Sequence, residues 1–161
     1  MKRVLFLMVA ILTMALSGQA KEMNQRLGVG PKKPFSFGLE SIAVHYWPNA
    51  DYTITGALGI ETTKDMSSFG LQGGIRRLLY GERNMNFFVG GAFGLVSTEI
   101  GGENNSGFEL SALSGAEFFF EGLENLGINF QMGVGVVSLK SSNSFKTIAQ
   151  SPVEAGFIFY F

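Results

Sequence analysis

Apolar side chains fall on every second residue in stretch after stretch of this chain, and that period of two constrains the fold more than any other feature. Tyr52, Ile54, Gly56, Leu58 and Ile60 share one face, with Thr53, Thr55, Ala57, Gly59 and Glu61 on the other. Phe69, Leu71, Gly73 and Ile75 alternate with Gly70, Gln72, Gly74 and Arg76, and Phe87, Val89, Gly91, Phe93 and Leu95 with Phe88, Gly90, Ala92 and Gly94. Phe108, Leu110, Ala112, Ala116, Phe118 and Phe120 face away from Glu109, Ser111, Gly115 and Glu117. Leu126, Ile128, Phe130, Met132, Val134 and Val136 face away from Gly127, Asn129, Gln131, Gly133 and Gly135. Strand side chains point to alternate faces, whereas a helix needs apolar residues three and four apart, and no stretch keeps that spacing over two turns. The chain reads as all-β.

Both ends add an address. Val153, Ala155, Phe157, Phe159 and Phe161 occupy alternate positions, so a closing strand would present one apolar, aromatic face outward. At the start, Lys2 and Arg3 precede an almost unbroken apolar run from Val4 to Leu16, and Ser17-Gly18-Gln19-Ala20 offers small residues for cleavage after Ala20. This is the pattern of a secretory signal peptide over residues 1–20, leaving residues 21–161 as one domain. The run is short for a membrane-spanning helix, which needs about 20 residues, and an uncleaved anchor is the alternative.

Composition narrows the class further. No apolar run beyond residue 20 approaches the length of a spanning helix, although 46% of residues are hydrophobic. Such content fits strands whose lipid-facing and lumen-facing positions alternate. There is no Cys, so an exported chain has no disulfide framework and no lipid-modified cysteine at the cleavage region. Twelve Lys and Arg against 13 Asp and Glu give −1, and loss of Lys2 and Arg3 would make the remainder more acidic. With no basic stripe interleaved with aromatics, nucleic acid is not an expected partner.

Counting back from Phe161 predicts strands near 152–161, 126–140, 108–121, 86–98, 67–80, 52–62 and 35–47. An antiparallel barrel with both termini on one side needs an even number, so residues 23–30 supply the eighth, and Pro31-Lys32-Lys33-Pro34 the first outside loop. Pro48–Asp51, Gly81–Asn84 and Gly122–Asn125 read as tight turns, Glu99–Gly107 and Ser141–Ser151 as longer polar loops. In the first of the long strands Phe37 and Leu39 define one face but Ile42, Val44 and Tyr46 the other, which predicts a bulge near Glu40-Ser41. The 22 glycines suit a small, strongly curved barrel with room for large polar side chains inside. Tyr46, Trp47, Tyr52, Tyr80, Phe87, Phe118, Phe120, Tyr160 and Phe161 gather near the short turns, where an aromatic girdle would sit.

An eight-stranded barrel is just wide enough to be filled by side chains. Parity places Arg76 inside with Glu40, Glu61, Glu109, Glu117, Glu154, Gln72, Asn129 and Gln131. Enclosed carboxylates must pair or hydrogen-bond, so these residues read as a structural polar plug around Arg76, or alternatively as a cation or proton path. His45 is the single histidine, and with no Cys nothing suggests a metal site or a cofactor. Ser41, four residues earlier, would sit roughly 13 Å away along a strand at about 3.3 Å per residue, too far for direct proton transfer. A serine from a neighbouring strand is the other option. No enzyme is expected, and His45 would be an interfacial residue beside Trp47. The Gly28-Val29-Gly30 and Gly133/Gly135 runs lack the following helix and Lys of a nucleotide loop.

With its leader, its Gly/aromatic alternation and its Phe159-Tyr160-Phe161 ending, the chain from about Leu27 to Phe161 resembles the small eight-stranded bacterial outer-membrane β-barrels of the OmpA/OmpX type. The resemblance implies an up-and-down transmembrane barrel in the outer membrane of a Gram-negative cell, monomeric and surrounded by lipid and lipopolysaccharide. It also implies delivery by periplasmic chaperones and insertion by the barrel-assembly machinery, which reads a closing strand such as Phe157, Phe159 and Phe161. Members act as scaffolds, adhesion or defence surfaces, or lipid-handling proteins, and architecture does not choose among these. The expectation is a structural or surface-interaction barrel with a filled lumen. A small transport barrel for ions or hydrophobic molecules is the alternative, followed by a lipid-modifying barrel enzyme and a soluble lipocalin-like binder.

Overall fold

In the computed structural model, residues 23–35, 38–140, 142–147 and 153–161 are described, those of 142–147 by backbone alone. The leader expected at residues 1–20 and the side of Phe37 lie outside the described residues. Among the described residues nine strands follow in order: β1 Leu27–Lys32, β2 Ser41–Tyr46, β3 Tyr52–Thr62, β4 Met66–Glu82, β5 Met85–Ile100, β6 Glu103–Phe120, β7 Leu123–Leu139, β8 Ser142–Thr147 and β9 Glu154–Tyr160. Each pairs antiparallel with its neighbour, β6 joins β7, and β1 meets β9, so the sheet closes on itself. Among the described residues there is no helix, and hence none long and apolar enough to cross a membrane.

Nine strands make eight staves because β8 and β9 share one. Leu126–Gln131 of β7 pair with β9, and Val134–Leu139 pair with β8. Of the loop expected over Ser141–Ser151, Ser142–Thr147 instead pair back along β7, and the rest lies outside the described residues. The same happens after β5: Glu99–Gly107 is not a loop, because the ladder runs on to Ile100↔Glu103 and closes on Gly101-Gly102. Both glycines have positive φ, +59° and +86°, the backbone that a two-residue hairpin turn of the type I′ class demands.

The first hairpin departs most from expectation. The eighth strand is present as β1, but it runs on through Pro31 and Lys32. Among the described residues no bulge at Glu40-Ser41 repairs the parity. Instead β2 begins at Ser41, and Phe35 and Leu39 belong to a loop that folds inward, both buried, with Gly38 at φ 77° donating its N–H to the Phe35 carbonyl at 2.9 Å. At the opposite end Asn49 Oδ1 accepts from the N–H groups of Asp51 (2.9 Å) and Tyr52 (3.1 Å), an Asx turn that holds the β2–β3 connection.

The period of two sorts the residues by face. Ile42, Ile54, Leu58, Ile75, Phe93, Leu110, Met132, Phe157 and Phe159 are exposed on the outside around the whole barrel. Inside lie two apolar clusters. Phe35 and Leu39 meet Val96 and Leu139 under the β1–β2 loop, and Met23, Trp47, Phe119, Ile158 and Tyr160 meet at the short-turn end. Trp47 and Tyr160 thus leave the expected girdle and point inward, while Tyr46, Tyr52, Phe87, Phe120 and Phe161 remain exposed.

A polar tier inside the barrel

Between the two apolar clusters, side chains from seven strands meet across the lumen. Arg76 on β4 is buried, with its guanidinium 4.4 Å from the centre of the Phe88 ring. Its β5 neighbour in register is Gly90, where a Cβ would stand 3.0 Å from Arg76 Cα and Cγ and run into the Ile75 carbonyl. Arg76 Nη2 donates to Gln131 Oε1 at 2.7 Å, and Lys32 Nζ donates to the same oxygen at 2.8 Å. Gln131 Nε2 in turn donates to Glu154 Oε2. Lys32 Nζ also stands 3.9 Å from Glu154 Oε1. Gln131 is therefore the hub: one amide takes two cations on its oxygen and passes a hydrogen bond to a carboxylate.

A second group lies toward the short-turn end. The Tyr160 hydroxyl faces both Glu117 oxygens at 2.9 and 3.0 Å, and Trp47 Nε1 donates to that hydroxyl at 3.5 Å. His45 Nδ1 is 3.2 Å from the hydroxyl and 4.0 Å from Glu117 Oε1. Because the single hydroxyl proton goes to Glu117, Nδ1 must be the protonated nitrogen if it bonds to Tyr160. Gly127 makes room for this: a Cβ there would sit 2.8 Å from Glu117 Oε1. Asn86 and Asn129 flank Glu117 in register on β5 and β7, fully buried, and neither amide finds a hydrogen-bond partner among the described residues.

Of the residues that parity placed inside, Arg76, Glu109, Glu117, Glu154, Asn129 and Gln131 are buried there, and Gln72, half-buried, donates to the Pro34 carbonyl at 3.4 Å. Glu40 and Glu61 are corrections, both exposed. Glu40 sits in the loop, where its carboxylate pairs with Lys33 at 2.8 Å; that partner's hydrogen bond and charge hold it below the usual 4.5. Glu61 keeps the inward parity but comes after Gly59, where β3 runs out of the barrel. Arg76 reaches an amide first, not a glutamate.

Lys32, His45, Tyr160 and Asn86 join the interior, although the sequence suggests a loop for Lys32, the interface for His45, the girdle for Tyr160 and no place for Asn86. Their signal was the same alternation: Tyr160 lies between outward Phe159 and Phe161, and His45 between outward Val44 and Tyr46. Ser41 Oγ is held by the Leu39 carbonyl at 3.1 Å, so no Ser–His pair forms there. Among the described residues no three His, Cys, Asp or Glu converge to hold a metal ion. Phe157 and Phe159 on β9 and Phe161 just beyond it are exposed on the outward face; β9 pairs with β7 from Glu154 to Phe159 and with β1 at Phe159 and Tyr160. Compared with family models, curated proteins and solved structures, the chain finds no match in any of the three.

Proposed function

We propose that this protein is an integral outer-membrane β-barrel with a structural or surface-interaction role and a side-chain-filled lumen that is not an open pore. The single observation that carries the reading is the inversion of the usual burial rule: aliphatic and aromatic side chains cover the outside while charged ones are buried inside. A soluble lipocalin-like binder needs the opposite arrangement. Strands of 16 to 18 residues from β4 to β7 exceed the roughly 9 to 11 that a tilted spanning strand requires. Closure gives each of β1 to β7 and β9 a partner on both sides, which meets what a bilayer demands of strands.

In this reading the surroundings are outer-membrane lipid and lipopolysaccharide, and the outward Phe157, Phe159 and Phe161 are the face offered to periplasmic chaperones and the assembly machinery. Residues 1–20 supply export. The lumen is closed twice, by Phe35 and Leu39 at one end and by Trp47, Phe119 and Tyr160 at the other. The test combines fractionation of the expressed protein with planar-bilayer recording of the purified barrel. Recovery with outer membranes and no conductance steps is expected. Steady conductance that rises when Arg76 is replaced by Leu would move the transport reading to first place, and recovery as a soluble protein would sink both.

A further inference from the structure

The outer wall is hollowed where β5, β6 and β7 run toward their short-turn end. In register across the three strands, Phe87, Ala116 and Phe130 form one row and Val89, Ser114 and Met132 the next. Alternation puts all six on the outer face, so large side chains on β5 and β7 flank small ones on β6. The result is a groove of about 360 Å³ that these residues line. That volume lies in the range of sites that hold small ligands. Gly91 and Ala112, the next outward pair in register, carry the low floor on along β6.

A cation stands at the edge of this groove. Arg76 and Arg77 are adjacent on β4 and face opposite ways: Arg76 is buried in the lumen, and Arg77 is exposed on the outer face. Arg77 is the register partner of Val89, and Leu79, next along the same face, also lines the groove. Its outward neighbours Tyr52, Ile75, Leu79 and Val89 are uncharged and exposed, and no described carboxylate pairs with its guanidinium. On a lipid-facing wall a cation is costly at mid-depth and tolerated near the headgroups. Arg77 falls in the closing third of β4, from which a long side chain can extend its charge to the headgroup layer on the short-turn side. A phosphate is the counter-charge which that layer supplies.

We infer that this groove binds an anionic glycerophospholipid of the leaflet on the short-turn side, its phosphate on Arg77 and one acyl chain along Ser114 and Ala116 between the walls of β5 and β7. Head site and chain site share one outward face, and both Arg77 and Ser114 are exposed there. None of the outward neighbours of Arg77 is acidic, so nothing beside it receives the ammonium of a zwitterionic head, and a head of net negative charge is favoured. The inference rests on the membrane reading above.

The test places the full barrel in nanodiscs of equal phosphatidylglycerol and phosphatidylcholine with the same acyl chains, followed by native mass spectrometry of the lipid retained. Phosphatidylglycerol should be retained roughly fivefold over phosphatidylcholine, the preference expected of one cation near the headgroups. Arg77→Gln should abolish that preference and Arg77→Lys keep most of it. Arg83→Gln, at an exposed cation already paired with Glu121 at 3.2 Å, should leave it unchanged. Ser114→Phe fills the groove from an exposed position and should lower both the total lipid retained and the preference, which reads the inference independently if Arg77→Gln fails to assemble. Free glycerol phosphate should not displace the lipid, because it has no chain to place along β6. Equal retention of the two lipids overturns the inference, as does a preference that survives Arg77→Gln. A preference that survives Ser114→Phe, or displacement by free glycerol phosphate, means an anion site at Arg77 and overturns the groove assignment. A barrel that will not enter nanodiscs overturns the membrane reading as well, whereas one that enters without discriminating overturns this inference alone.

Discussion

The wall from β4 to β7 and the seam from β9 through β1 to β2 are held together by different forces. In the wall, strands of 16 to 18 residues pair almost end to end, with shifts of register only near Leu78/Tyr80 and Phe119/Phe120. At the seam, β1 and β2 have six residues each and β9 has seven, and the β1–β9 ladder covers Gly28↔Tyr160 and Val29↔Phe159. Leu27 and Phe161 add a reciprocal pair of backbone bonds at 3.2 and 2.9 Å. The lumen network compensates for this thin pairing. Lys32, His45, Glu154 and Tyr160 come from the seam strands and reach Gln131 and Glu117 on the wall. The wall is held mainly by its backbone, and the seam is fastened to it by side chains.

The sharpest break of this comparison is a single methyl on each side. Gly30 on β1 has no room for one, because a Cβ would run into the Phe157 carbonyl, whereas a Cβ at Gly73 on β4 meets nothing within 4 Å. Gly30→Ala should abolish the shifted band that an unboiled closed barrel gives on a denaturing gel, and Gly73→Ala should keep it. Equal behaviour of the two would mean that closure does not depend on close approach at the seam.

Arg76→Leu comes next. A hydrogen bond from a charged group contributes about 1.5 to 3 kcal/mol, so losing the Nη2 bond to Gln131 together with the stacking on Phe88 should lower the urea midpoint in lipid. Arg76→Lys should recover only part of the loss, since an ammonium lacks the planar face that lies over Phe88. An unchanged midpoint for Arg76→Leu would show that the lumen is not what holds the wall and seam together.

Tyr160→Phe keeps the ring in its cluster but removes the hydroxyl from Glu117, His45 and Trp47. A hydrogen bond to a charged group contributes about 1.5 to 3 kcal/mol, and the loss should appear as faster unfolding without change in the outer surface. If Tyr160→Phe is silent, Glu117 is satisfied by other groups and the staple between β9 and β6 is not an energetic one.

Glu40 gives the smallest effect. Its carboxyl is depressed by Lys33, so its contribution is present above the ordinary value of 4.5 and is lost as the pH falls through the lower folded value. Both side chains are exposed, and such pairs are weak and salt-screened. Amide protection at Gly38 and Glu40 should drop slightly in that acid window, and Glu40→Gln should remove the drop. A loop equally protected through the window would leave Phe35 and Leu39 as its whole anchorage.

Much of this architecture is legible in the sequence because alternation is a local property: each strand carries its own record of which residues face which way. Parity puts Arg76, Glu109, Glu117, Gln131 and Glu154 on the face that the structure buries. Position along the strand points Tyr160 and Trp47 to the girdle instead, and there it misleads. Parity also cannot say where a strand leaves the barrel: it points Glu61 inward although β3 ends in the open, and Glu40 inward although its segment is not a strand.

The sequence by itself determined an all-β chain, the number of staves, and a division into an apolar and a polar face. Tertiary structure alone decided which polar residues meet. Lys32 and Gln131 are 99 residues apart, Arg76 and Gln131 55, and His45 and Tyr160 115. Their meeting depends on strand stagger, on the curvature of the closed sheet and on the inward fold of the β1–β2 loop. Those are properties of the closed ring, and no single strand's pattern of side chains contains them.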